Sequence, residues 1–127
     1  MKNTNLNISK LEFKKRIYRY ILRLIKFLNI LPKTPVILKI IDQLMRSGTS
    51  IGANYFEAEG ASSKRDYQNF FNHCLKSANE SKFWLAVLRD SNFVSENLMK
   101  ECNWLLQETK EFANIFASSI LTMKGKR

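Results

Sequence analysis

Along the chain, apolar residues return every three or four positions in four long blocks, and no stretch alternates with period two. The pattern therefore predicts helices and no exposed sheet. The first helix is expected from about Ser9 to Ile30, ending at LPKTP, where Pro32 and Pro35 disfavour helix in the residues before them. Thr34 is placed as N-cap and Pro35 in the first turn of a second helix that reaches about Glu59 and stops at Gly60. Ser62 or Ser63 caps a third, from about Lys64 to Arg89, with Asp66 in its first turn. After the turn DSNFVSE, Ser95 caps a fourth helix over about 96–123, followed by the basic tail KGKR at 124–127. Four helices of similar length joined by short loops predict one all-α domain over 1–127, an antiparallel up-down-up-down four-helix bundle.

The helical phase also predicts the core. The second helix turns Ile37, Ile41, Leu44, Gly48, Ile51 and Tyr55 inward; the third, Tyr67, Phe70, Phe71, Cys74, Leu75, Ala78, Leu85 and Leu88; the fourth, Leu98, Cys102, Leu105, Phe112, Phe116 and Ile120. Phe83 and Val87 fall outside these stripes, on the face of Asn69, His73, Lys76 and Glu80, and Trp104 and Ile115 share the face of Glu108 and Glu111. Two helices with a second apolar patch predict a subunit interface at Phe83, Val87, Trp104 and Ile115, although single surface aromatics are also common.

Charge changes this picture most in the first helix. The net charge of the chain is +10, and the first 50 residues carry 11 Lys and Arg against Glu12 and Asp42, a surplus of +9. Lys15, Arg16, Arg19, Arg23 and Lys26 fall within an arc of about 100°, with Ile17, Tyr18, Ile21, Leu24, Ile25 and Leu28 opposite. A solvated face usually mixes signs. A ridge of one sign predicts a polyanionic partner, met through phosphate contacts that read no sequence and weaken with salt.

Catalytic chemistry is hard to assemble. His73 is the only histidine and lies on a polar face, so neither a histidine-containing metal cluster nor a Ser-His-Asp arrangement forms within one chain. The Glu-x-x-His pattern of di-iron bundles is missing, and GANYFEAEG lacks the Lys-Ser or Lys-Thr ending of a phosphate loop. Glu57 and Glu59, near a helix end, read as surface charges. No catalytic residue, cofactor or metal site is expected. Cys74 and Cys102 lie on apolar stripes and are expected as buried thiols, in keeping with a cytoplasmic protein. The polar Met1–Ser9 segment predicts no signal peptide, and the frequent charges of the first helix predict no membrane span.

The stretch RSGTSIGANYFEAEGASSKRD, 46–66, is unusually small and polar. Each mid-helix glycine costs about 1 kcal/mol relative to alanine, so Gly48 and Gly52 predict the close approach of a neighbouring helix. Ser47 and Asn54, seven residues apart on one edge, are expected to bond across to another helix or to the chain entering the third.

These residues carry a resemblance. The R-S-x-x-S-I-x-x-N core at Arg46, Ser47, Ser50, Ile51 and Asn54, the E-A-E at Glu57, Ala58 and Glu59, the S-x-x-D-Y before the third helix and the E-S-x-F-W-L ending at Leu85 together resemble a known signature. It is that of the bundle proteins encoded in intervening sequences of bacterial large-subunit rRNA genes, also labelled S23-type. The resemblance implies a four-helix bundle, commonly a homopentamer, with no established enzymatic activity. It also implies kinship with the accessory variability determinant of diversity-generating retroelements, a basic bundle that associates with a reverse transcriptase and its RNA. The leading expectation is thus a non-enzymatic homo-oligomer that binds RNA or other nucleic acid through the first helix, with a reverse transcriptase as one protein partner. A structural or protein-interaction scaffold is the alternative, and membrane-surface attachment through the first helix is a third.

Overall fold

A computed structural model describes the backbone of residues 2–125 and the side chains from residue 9 to 125. It contains four helices: α1 (Lys2–Ile30), α2 (Pro35–Glu59), α3 (Lys64–Asp90) and α4 (Glu96–Met123). The expected boundaries are met within a residue except at the start of α1, which runs back to Lys2; neither Pro nor Gly interrupts that segment. Of the expected tail, Lys124 and Gly125 form an exposed turn, while 126 and 127 lie outside the described residues.

The caps explain where the helices begin. Thr34 Oγ1 accepts from Ile37 N at 3.3 Å. Ser63, not Ser62, caps α3, its hydroxyl accepting from Asp66 N at 3.1 Å, while Ser62 donates to Asp66 Oδ2 at 2.9 Å. Ser95 has the extended backbone of an N-cap, but its hydroxyl faces Asn97 Oδ1 and accepts no backbone N–H, which departs from the expected cap. Asn92, at φ 67°, takes the left-handed conformation in the turn from α3 to α4; asparagine tolerates it better than most residues.

Each helix packs on the next, and α4 returns to α1. Side-chain pairs show the directions: Lys14 reaches Glu59, Ser50 meets Ser77, and Arg16 meets Glu108 while Arg23 meets Glu101. Neighbouring helices are therefore antiparallel around one core, which includes Ile17, Tyr20, Leu24, Leu44, Phe112 and Phe116. In α1 the phase predicted from sequence is rotated. Tyr18 and Ile25 are 56% and 39% exposed, and Tyr20 and Phe27 are buried in their place. Apolar residues surround much of α1, so its pattern did not fix which side faces in.

The small residues of α2 lie at two close seams. On the α3 side, the hydroxyls of Ser47 and Ser81 bond at 2.9 Å with both residues fully buried, and those of Ser50 and Ser77 bond at 3.0 Å. One turn on, the Cys74 thiol points to Ile51 O at 3.6 Å. At the outer end Arg46 pairs with Glu80, which also accepts from Trp84 Nε1 at 3.1 Å. The R-S-x-x-S-I signature and the E-S-x-F-W-L run are thus two halves of one seam. Asn54 differs from expectation: its Nδ2 donates to Ser50 O and Oγ, both at 2.9 Å, and so braces Ser50 within α2 instead of crossing to another helix.

On the α1 side, a Cβ at Gly48 would stand 2.2 Å from Leu24 Cδ2, and one at Gly52 2.3 Å from Ile21 Cδ1. The glycines are the space into which α1 inserts those two side chains. Burial pushes the thiols of Cys74 and Cys102 up, to about 12 and about 11, and neither forms a disulfide. Ser81→Leu, which puts a branched chain into the α2–α3 seam, is expected to destabilise the fold by about 1–3 kcal/mol. Ser81→Ala, which removes the hydroxyl bonded to Ser47 and to Ser77 O but adds no bulk, is expected to cost about 1 kcal/mol. Urea denaturation of the two variants measures both, and equal stability would refute the close seam.

Candidate nucleic-acid interface

The outward half of α1 carries three strips along its length. The strip towards α4 holds Arg16 and Arg23, the central strip holds Lys15, Arg19 and Lys26, and the strip towards α2 holds exposed Tyr18, Leu22 and Ile25. Arg16 and Arg23 do not stand free as a ridge predicts. Arg16 donates through Nε and Nη2 to the two oxygens of Glu108 at 2.9 and 2.6 Å, and through Nη2 to Glu111 at 2.6 Å. Arg23 forks onto Glu101 in the same way, and its guanidinium lies 3.4 Å from the centroid of the Trp104 ring.

Between these clamps, Tyr20 and Thr109 bond at 2.6 Å inside the core. Thr109 gives its proton to Leu105 O at 2.6 Å, so the Tyr20 hydroxyl is the donor to Thr109. The electrostatics follow the geometry. The bond to Glu108, against the opposing cost of burial, raises the Arg16 pKa above the usual guanidinium value. The bond from Arg16, aided by Gln107, holds the Glu111 carboxyl below its ordinary 4.5.

Lys15, Arg19 and Lys26 are exposed. Arg19 and Lys26 make no hydrogen bond or ion pair among the described residues, and Lys15 stands 4.0 Å from Glu12. The five expected cations thus divide into two that bind α4 and three that face solvent.

The four expected interface residues divide as well. Phe83 is 58% exposed, as an interface residue would be in a single chain, but Val87 and Trp104 pack partly against the core. Trp104 is half-buried beneath Arg23, and Ile115 is half-buried beside α1. The Trp104–Ile115 face of α4 is the one that receives α1, and its acids are the partners of Arg16 and Arg23. The signal for this was available: the pairs Arg16/Arg23 and Glu101/Glu108 each span seven residues, which an antiparallel contact matches.

A further apolar surface, which the sequence reading missed, is exposed on the two adjacent helices, by Tyr18, Leu22 and Ile25 on α1 and by Met45 and Phe56 on α2. A groove of about 200 Å³ lies within it over Gly52 and Ala53. Glu57, the last of the signature positions, is exposed.

Comparison with known proteins fits this arrangement. The sequence model of the 23S rRNA-intervening sequence protein family matches residues 9–115. The chain belongs to that family. A crystal structure of a protein of unknown function from the S23 ribosomal protein family, from Bacteroides thetaiotaomicron, is similar at 35% identity and a TM-score of 0.65. The similarity covers 87% of this chain and 94% of that one. No curated protein matches the chain. The family match spans both α2 seams and ends at Ile115 in α4, so it includes the clamp residues Arg16, Arg23, Glu101, Glu108 and Glu111. Among the described residues, no cluster of His, Cys, Asp or Glu is arranged to hold a metal, and no helix is long and apolar enough to cross a membrane.

The clamp and the free strip differ in what their loss should do. Arg16→Met is expected to lower stability by about 1–2 kcal/mol, since it leaves Glu108 without a donor and Glu111 with Gln107 alone, whereas Lys15→Met should change it by less than about 0.5 kcal/mol. Urea denaturation compares them. The pH dependence has a definite sign. Because the folded pKa of Glu111 is depressed, its contribution is complete above 4.5 and lost as pH falls through the lower folded value. The melting-temperature gap between wild type and Glu111→Gln should therefore be present at neutral pH and close in acid; a gap that widens in acid contradicts the assignment.

Proposed function

We propose that this protein is a non-enzymatic, self-associating helical bundle that binds the phosphate backbone of RNA through Lys15, Arg19 and Lys26. One observation carries the reading. Lys14, Arg16, Arg23 and Arg46 each have a carboxylate partner within 3 Å, while the central strip of α1 holds three cations with none that close. Cations without a close carboxylate on a helix suit contacts to phosphate, whose release of counterions makes binding salt-dependent and indifferent to sequence. RNA is the polyanion of choice because the family is named for a 23S rRNA intervening sequence.

Self-association is supported by the apolar band of Tyr18, Leu22, Ile25, Met45 and Phe56, which borders the basic strip on the same helix. A second copy covering that band would bring two basic strips close together and multiply weak phosphate contacts. The same band favours the second reading, a protein-interaction scaffold whose charge serves solubility.

Fluorescence anisotropy with a structured rRNA fragment separates the two readings. Wild type should bind at about 50 mM salt and lose much of its affinity by about 200 mM, and the triple variant K15Q/R19Q/K26Q should bind less and flatten the salt slope by about two to three. Equal binding by both proteins, or none by wild type, sinks the RNA reading. Mass in solution tests association independently: Leu22→Glu and Phe56→Glu should each lower the oligomeric state, and a monomeric wild type rules association out.

A further inference from the structure

At one end of the bundle the N-terminal part of α1 and the last turns of α4 leave between them a cavity of about 650 Å³, within the range of small-ligand sites. Its inner wall is aromatic: Phe13, Tyr55, Tyr67 and Phe71. Phe13 meets Tyr55 edge-on at 5.2 Å, and Tyr67 stacks on Phe71 at 4.7 Å and 30°. Tyr67 contacts no second ring among the described residues. Ser9, Lys10, Glu12, Arg19 and Ser119 also line it; Lys10 lies about one turn before Phe13, whereas Arg19, nine residues further on, stands half a turn round α1 from Lys10.

The two wall phenols differ from the other core tyrosine. Tyr20 is satisfied by Thr109, but the hydroxyls of Tyr55 and Tyr67 make no hydrogen bond among the described residues. Among the described residues no fully enclosed side-chain nitrogen or oxygen lacks a partner, so both hydroxyls reach accessible space, and both residues line the cavity. Burial pushes the Tyr55 phenol up to about 12, which keeps it a proton donor at neutral pH.

We propose that this cavity binds a single nucleotide, with its base against the ring of Tyr67 and its phosphate at Lys10. An aliphatic ligand would leave the phenols and Lys10 unused; a flat base with acceptor atoms, joined to an anion, engages them. The charge sets the size. Arg16 is already held by two carboxylates and Arg19 stands half a turn of α1 away from Lys10, so among the described residues one free cation serves the anion, which suits one phosphate better than three.

The inference deepens the RNA reading and in one form rests on it: Arg19 belongs to the basic strip and also lines the cavity. A strand tracking the strip can therefore place an unpaired base in the cavity. A free mononucleotide presents the same chemistry.

Calorimetric titration of the full chain with AMP, ribose 5-phosphate, a short single-stranded RNA and an RNA duplex distinguishes these sources. AMP and the single strand should bind, and ribose 5-phosphate should bind at least about tenfold more weakly for want of a base to stack. Tyr67→Leu should weaken AMP by about tenfold and leave the duplex unaffected. Ser119→Trp, which fills the cavity, should abolish AMP binding. Melting curves check that each variant folds, and Tyr67→Leu carries the test if Ser119→Trp does not. Duplex binding without AMP binding, or with AMP indifferent to Tyr67, overturns the cavity site and leaves the RNA surface standing. AMP binding through Tyr67 without any RNA binding upholds the site for a free nucleotide and overturns the RNA reading. Ribose 5-phosphate binding as well as AMP overturns base recognition.

Discussion

The bundle depends on how closely α2 can be approached from two sides. Ser47 and Ser50 let α3 come near enough for hydroxyl to meet hydroxyl, and Gly48 and Gly52 leave the space that Leu24 and Ile21 of α1 occupy. A larger side chain at any of these positions has to displace a neighbour, and cores resist overpacking as they resist cavities. The seams also deal with the polar atoms they bury. Ser81 lies wholly inside, yet its hydroxyl bonds both Ser47 and Ser77 O, so the small residues supply close contact without an unsatisfied group. With α1 and α3 fixed on α2, α4 closes the ring between them.

That closure is made differently. Between α1 and α4 the contacts are long side chains: two arginine forks on three glutamates, one guanidinium over an indole, and one buried phenol–threonine bond. Side chains of this length hold helices together at greater separation than serine and glycine do, and at the end of the bundle the same separation opens into the aromatic cavity. Close seams around α2 and an open seam opposite are thus two parts of one design, with the rigid side supporting the accessible one.

Much of the fold was legible because its punctuation is chemical. Pro32, Pro35, Gly60 and Ser63 mark helix ends by their own backbone preferences, and Gly48 and Gly52 announced a close neighbour because mid-helix glycine is otherwise unfavourable. The outward parts were harder to read. Period alone could not phase α1, whose apolar residues run most of the way round, so Tyr18 was assigned inward and Tyr20 was overlooked. Nor does a wheel show partners: Arg16 and Arg19 are alike on it, and only Arg16 has Glu108 and Glu111 across from it. The cavity had no local signature, since it arises from the spread of α1 and α4 and from rings on all four helices except α4, whose Ile115 and Met123 close its side.

The division among the α1 cations has an energetic reason. An arginine that left Glu108 for a phosphate would strand a carboxylate whose side chain is only 13% exposed, at a cost of about 1–3 kcal/mol, and would loosen the contact that holds α1 in place. Phosphate contact by Arg16 or Arg23 therefore competes with folding. Contact by Arg19 or Lys26 competes only with water, because neither has a partner to lose among the described residues. On a helix held by its charges, the cations fit for a partner are those that the fold does not use, and the local surplus of positive charge supplies both sets.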